Sequence, residues 1–343
     1  MDNKQQLYEI TILRPIIIGL LVLMHSFTMY GGAWSLPEEI RPVPAYWWIA
    51  KISFSFLLET FVFISGYILC FQMQRKRITF PSLVQKKLKR IYLPSIVFSI
   101  IYFCCFSTYK NAIGCVYSIL NGCGHLWFLP MLFWCFIGGY ALLQLQIPDW
   151  IKLLCLLLLA IISGPLSFLP LRIGNACYYL FFFYTGVVVH RQKDNILHFF
   201  TRNRVVWTIL VYIAVVVGGL LFNNYLQSID NAASLWHLPI VFAKTAVKML
   251  YATVGTVMSY LVVNLIIKSR VEIGEPWTTF NQCCFGVYIY HQFILEYLYY
   301  HTALPTSVGS YWLPWVGLAV ALPAAFILSY VTRATKAGQF LIG

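Results

Sequence analysis

Few residues of this chain are equipped for acid–base work, and those few fall in a pattern. Arg14 and His25 stand eleven positions apart. On a helix, eleven steps of about 100° leave roughly 20° of rotation, so both side chains share one face, roughly 16 Å apart along the axis. That puts Arg14 near one end of an apolar stretch and His25 near its middle. Glu59 sits in the run Glu59-Thr60-Phe61-Val62-Phe63-Ile64-Ser65-Gly66, about midway between Trp47 and Phe71. His291 follows Gly286-Val287-Tyr288-Ile289-Tyr290, with Glu296 beyond it. An imidazole near a carboxylate is a general-base arrangement, the ring taking a proton and the acid orienting or stabilising it. Each residue also has a structural reading. His25 and His291 fit as hydrogen-bonded packing histidines, Glu59 as a satisfied acid, Ser65-Gly66 as a small-residue helix contact and Glu296 as a solvated interfacial group.

Cations and aromatics offer a second chemistry. The segment 72–90 carries seven positive charges, Lys87 and Arg90 among them, and no acid. It reads either as an anchor to anionic lipid or as a phosphate-binding patch. His125-Leu126-Trp127-Phe128-Leu129 reads as an interfacial aromatic anchor or as the border of an acceptor site. The chain has ten cysteines. Eight fall in or beside apolar runs, where cysteine acts as a small hydrophobe. Cys115 and Cys123 lie in a loop, at a spacing that permits a disulfide without requiring one. No Cys/His spacing suggests a metal site.

The elements that position these residues follow from composition. The 343 residues are 60% hydrophobic, 17% aromatic and only 10% charged, with a mean hydropathy of +0.75. A soluble surface carries about 25% charged residues, so this is an all-α polytopic membrane protein. Apolar stretches of near-spanning length occur at roughly 10–30, 47–71, 91–109, 126–145, 150–170, 177–190, 205–223, 239–267, 281–301 and 311–332. That is about ten transmembrane helices. Strands are excluded, because an open sheet cannot span lipid and the runs are too long for barrel strands. The formal charge of +13 resembles a nucleic-acid signal, but in a membrane protein Lys and Arg collect on cytoplasmic loops, so no nucleic-acid partner is expected. With both termini cytoplasmic, that side holds 18 of the 24 basic residues. Lys4 is among the 18; Lys110, Lys244 and Lys248 are among the rest. Arg270 also counts as cytoplasmic. No cleavable signal peptide, internal repeat or low-complexity linker is evident. Residues 1–343 read as a single membrane-embedded domain with no fused soluble domain.

Together these residues resemble the acyltransferase-3 family of integral-membrane acyltransferases. The family's Arg, ten residues, then His is matched by Arg14 and His25. Its acid before Phe-Phe and Ser-Gly is similar to Glu59, Phe61, Phe63, Ser65 and Gly66, with Glu for the commoner Asp and Val62 between the two Phe. Its basic Arg-x-x-Arg element resembles Lys87-Leu88-Lys89-Arg90, where Lys87 replaces the first Arg. Its His-x-Trp-aromatic-Leu element resembles 125–129, and its late Tyr-x-x-His segment resembles 286–291. The likeness runs in order along nearly the whole chain.

The resemblance implies a multi-pass enzyme of the plasma (inner) membrane. It implies transfer of an acyl group, often acetyl, from cytoplasmic acyl-CoA to a hydroxyl of an extracytoplasmic glycan or lipid-linked acceptor. Acyl-CoA, with acetyl-CoA as the expected form, is then a co-substrate; no bound cofactor and no metal are expected. Arg14, Lys87 and Arg90 would meet the phosphates, and the pantetheine arm would rise along the first helix to His25, the general base. Glu59 would orient that imidazole, as the acid does in a Ser-His-Asp triad, while His125, Trp127, His291 and Ser65 would support the site or the acceptor. A covalent acyl-histidine intermediate stays open as an alternative to direct transfer. The main rival is a transporter or flippase for a glycan or lipid-linked sugar, which also needs polar groups at midplane. A third reading is a non-enzymatic assembly subunit.

Overall fold

The computed structural model describes residues 7–106, 112–196, 201–232, 237–269 and 272–342. Lys4, Lys110 and Arg270 of the charge count lie outside them. The described residues form helices and turns, with no strand among them. In chain order the helices are α1 (Tyr8–Ser26), α2 (Pro44–Phe54), α3 (Leu57–Arg75), α4 (Phe80–Lys87), α5 (Leu93–Phe106), α6 (Ala112–Asn121), α7 (Phe128–Gln144), α8 (Asp149–Ile161), α9 (Ile173–Arg191), α10 (Lys193–Ile196), α11 (Arg202–Ala232), α12 (His237–Lys268), α13 (Glu275–Tyr300), α14 (Leu304–Arg333) and α15 (Lys336–Ile342). A π turn, Leu88–Tyr92, joins α4 to α5, and a 3₁₀ turn, Gly124–Trp127, leads into α7. Proline marks the starts: α2, α4, α13 and α14 each carry one in the first two positions, where its missing N–H costs nothing.

Each expected apolar stretch contains a helix among its described residues. Among the described residues, seven segments are long and apolar enough to cross a membrane: α1, α2–α3, α4–α5, the turn with α7, most of α11, α12 and α14. The other three expected stretches coincide with α8, α9 and α13. Helix α8 has only 13 residues. Helices α9 and α13 are diluted by polar and phenolic side chains that they bury, including Tyr178, Tyr179 and Tyr184 on α9 and His291, Gln292 and Tyr299 on α13.

The chain divides into two compact units. Unit 1 comprises residues 1–57 and 259–343; unit 2 comprises 58–258. In unit 1, α13 packs between α1 and α14. Thr11 meets Trp277 and Ser26 meets Tyr299, so α1 and α13 run parallel. Ser329 meets Cys283, while Gly317 abuts Tyr299, so α14 runs antiparallel to both. The start of α1 and the end of α14 therefore lie at the same end of this unit.

Unit 2 is built on α9, against which α7 and α8 pack. Asp149 at the start of α8 closes that hairpin by accepting from Tyr184 (2.5 Å) and Arg191 (3.2 and 3.3 Å). Helix α3 crosses α9 at close range. Gly66 faces the Phe183 backbone and Gly186 faces the Phe63 backbone, and a Cβ at either glycine would collide with a main-chain oxygen. The small-residue reading of Ser65-Gly66 is thus what the packing uses: Ser65 bonds back to Phe61 O (2.9 Å) within its own helix. The ten cysteines are free thiols, Cys115 and Cys123 included.

Candidate functional site

In unit 1 the face shared by Arg14 and His25 is the face turned toward α13. His25 does not sit mid-helix: it occupies the last turn of α1, which ends at Ser26 although the apolar run continues to Tyr30. Hydroxyls end it. Ser26 Oγ donates to Leu23 O (2.7 Å) and Thr28 Oγ1 to Met24 O (2.9 Å), on the same two carbonyls that take the Phe27 N–H where the helix closes. The imidazole is only half-buried there. His291, on α13, is fully buried. Their rings meet edge to face with centroids 4.7 Å apart, and His291 Nε2 lies 3.2 Å from His25 Nδ1.

Backbone carbonyls fix the tautomers. His291 Nδ1 lies 3.1 Å from Val287 O, and His25 Nδ1 lies 3.1 Å from Leu21 O. A carbonyl oxygen only accepts, so each Nδ1 carries the proton. In a neutral ring His291 Nε2 is then a lone pair, which shares the His25 Nδ1–H with Leu21 O. In neutral His25 the basic nitrogen is therefore Nε2. The half-buried ring has its basic atom defined, and the buried ring holds it in that state.

In unit 2, Glu59 is 1% exposed. Its Oε1 accepts from Tyr178 OH (3.1 Å) and pairs with Lys248 Nζ (3.5 Å), which also lies 4.5 Å from the Tyr178 ring centroid. Its Oε2 has no hydrogen-bond partner among the described residues. The next residue of α3, Thr60, joins hydroxyls at 3.2 Å with Thr256 of α12. A carboxylate this deeply buried needs a cation, and α12 supplies it.

The two cations of the basic segment diverge. Lys87 lies in the last turn of α4, half-buried, with Nζ 3.4 Å from the Phe136 ring centroid. Arg90, within the π turn, is exposed. His125 is buried in the 3₁₀ turn against Tyr102. Beside it, Cys123 is buried too, and burial pushes its thiol pKa up. Trp127 packs on Tyr179, which neighbours Tyr178, so an aromatic row runs from Trp127 to the Glu59 pair. Arg172 caps that row over Trp127 and donates to Asn121 O (3.1 Å).

Residues 7–334 match the family model described as an acyltransferase domain, spanning both units. The chain belongs to the acyltransferase-3 family. No curated protein and no solved structure matches it. It is thus an acyltransferase, and its apolar helices make it a multi-pass membrane protein.

Three residues of this acyltransferase's polar clusters went unassigned in the sequence: Lys248, Tyr178 and Trp34. Lys248 had a signal, since a lysine inside an apolar stretch is costly unless paired, and Glu59 was the acid at similar depth. Tyr178 had none, being one of 23 tyrosines. Trp34 lies in the turn after α1, with its ring centroid 6.3 Å from that of His25.

Proposed function

We propose that the protein moves an acyl group, acetyl in the simplest case, from cytoplasmic acyl-CoA to a hydroxyl of an extracytoplasmic glycan or glycolipid. The observation that carries this reading is the His25–His291 pair (3.2 Å) on the helix face that also bears Arg14, in a chain of this family. His25 Nε2 takes the proton of the acceptor hydroxyl. The oxygen attacks the thioester carbonyl, the C–O bond forms and the C–S bond breaks. The departing thiolate takes the proton back from the imidazolium, which restores the base. His291 is a positioning residue: it receives the Nδ1–H of His25 and steadies the ring as it becomes cationic.

Arg14, half-buried in the second turn of α1, offers the planar fork suited to a phosphate of the donor. Arg90 is an exposed cation that raises the local concentration of the anionic acyl-CoA. Lys87, seated on Phe136, serves chiefly to fix α4 against α7. Glu59 is required in the form that Tyr178 and Lys248 hold. Trp127 belongs to the wall of that cluster through Tyr179, and His125, in the same 3₁₀ turn, packs on Tyr102.

Parity supports ten crossings with both termini cytoplasmic. The start of α1 and the end of α14 share one end of unit 1, which an even number of crossings demands. The basic-residue bias selects the cytoplasm for that end.

The test is mass spectrometry of surface glycans and lipids from cells with the protein, without it, and with His25→Ala. A mass gain of one acyl group that needs both the protein and His25 is expected. Movement of a glycan across the membrane with no mass gain would instead identify a flippase.

A further inference from the structure

The turn between α1 and α2, residues 27–43, lies beside His25 and has no role in the reading above. It is held firmly. Tyr30 OH donates to Ser310 O, Arg41 N donates to Ser310 Oγ (2.8 Å) and Tyr300 OH donates to Ser35 O (2.6 Å). Tyr46, just inside α2, donates to Tyr311 O (2.9 Å). Ser310 O is open to a side-chain donor because Pro314, four residues on, has no N–H to offer it; one residue earlier α14 is broken at Gly309, whose φ of +71° only glycine adopts without strain. Two prolines, Pro37 and Pro42, stiffen the rest of the turn, and Pro44 opens α2.

This clamp fixes one large side chain next to the base. Trp34 is half-buried and inclined at 49° to the His25 ring. Tyr299 and Tyr300 meet the indole in edge-to-face contacts, at centroid distances of 6.5 and 6.1 Å. Four residues further along, the same turn exposes Glu38 and Glu39. An indole held beside the base, with two exposed carboxyl groups on the same short turn, is chemistry suited to a pyranose. The apolar C–H face of the sugar lies on the ring, and its hydroxyls donate to the acids. An acyl chain would have use for the indole and none for the acids.

We propose that Trp34 is the platform for the saccharide ring of the acceptor, so that this turn selects a pyranose hydroxyl for delivery to His25. The inference rests on the transferase reading and names its acceptor class. When a sugar occupies the platform, its hydroxyl proton passes to His25 and the ester forms as the thioester breaks. When none does, water is the alternative nucleophile, giving slow hydrolysis of the donor.

The experiment follows release of free CoA from acetyl-CoA by the full-length protein in nanodiscs. Methyl glucoside, galactoside, mannoside and rhamnoside are compared with the open-chain polyol sorbitol. At least one pyranoside, and not sorbitol, should stimulate release in the parent. Trp34→Ala should raise the KM for that sugar about tenfold and leave sugar-free hydrolysis within about twofold of the parent. Trp34→Tyr should recover much of the affinity. Stimulation by sorbitol equal to the pyranosides, no stimulation by any pyranoside, or an unchanged sugar KM in Trp34→Ala would overturn the proposal. So would loss of hydrolysis in Trp34→Ala, which would make the indole a support for the base. Failure of the transferase reading looks different: CoA release would be absent from the parent, or would persist undiminished in His25→Ala.

Discussion

Replacing His291 separates a positioning role from a catalytic one. In His291→Ala, His25 Nδ1–H loses one of two acceptors and keeps Leu21 O at 3.1 Å. The lost interaction is a neutral hydrogen bond of 3.2 Å, worth about 0.5–1.5 kcal/mol net. If all of that acts in the transition state, the rate falls about 2- to 13-fold. Removing the proposed base, in His25→Ala, should cost about 10²–10⁴-fold. The third variant is His291→Gln, whose side-chain oxygen reaches the position of the ring Nε2 and accepts the same proton. It should stay within about threefold of the parent. The assay is acyl-CoA turnover by purified protein at saturating donor, with size-exclusion profiles to confirm that each variant is folded. Because His291 is fully buried, Ala leaves a cavity, and Gln is the control that keeps volume and polarity. A folded His291→Gln as inactive as His25→Ala would refute the reasoning and make His291 the proton acceptor. A His291→Ala variant indistinguishable from the parent would refute it from the other side.

Lys248→Ala strands the buried Glu59 carboxylate and should destabilise the protein by about 3 kcal/mol, the low end for a broken buried pair because Lys248 is 31% exposed. Adding Glu59→Gln should recover most of that thermal stability, and equal melting temperatures for single and double variants would show the pair carries little. Gly66→Ala drives a methyl into the Phe183 backbone and should cost at least about 1–3 kcal/mol, read as lost folded yield; normal yield and melting temperature would count against the tight α3–α9 crossing. Arg90→Gln should raise the KM for acyl-CoA a few-fold, chiefly at low salt, whereas Lys87→Gln should lower stability and leave that KM unchanged; the reverse pattern would return Lys87 to the donor site.

What the sequence discloses here is what a single helix or its lipid contact dictates. Each of the ten apolar stretches holds a helix among its described residues, and the eleven-residue spacing of Arg14 and His25 names the face that α1 turns inward. What stays hidden depends on partners far along the chain. His25 meets His291 because α1 lies parallel to α13, and Glu59 meets Lys248 because α3 and α12 adjoin; no local period reports either. Two misplacements are local but invisible to hydropathy. The apolar run through Tyr30 conceals the end of α1, since Ser26 and Thr28 stop it with hydroxyl bonds while changing the apolar character little. Lys87 and Arg90 look like neighbours on one basic face, but the π turn that begins at Leu88 shifts the helical phase between them.

The interleaving of the two units has a consequence for how the protein is made. His25 is separated from its partner ring by 266 residues. At about 5–20 residues per second, roughly 13–53 s of synthesis pass between the two. Throughout that interval α1 must wait in the bilayer without the ring that His25 meets, while the whole of unit 2 is inserted. A ribosome that stalls before α13 therefore releases a chain that holds the expected donor arginine and the base but lacks the ring that orients it. The nascent chain gains the ring that orients its proposed base only when its last long hairpin, α13–α14, arrives beside the first helix.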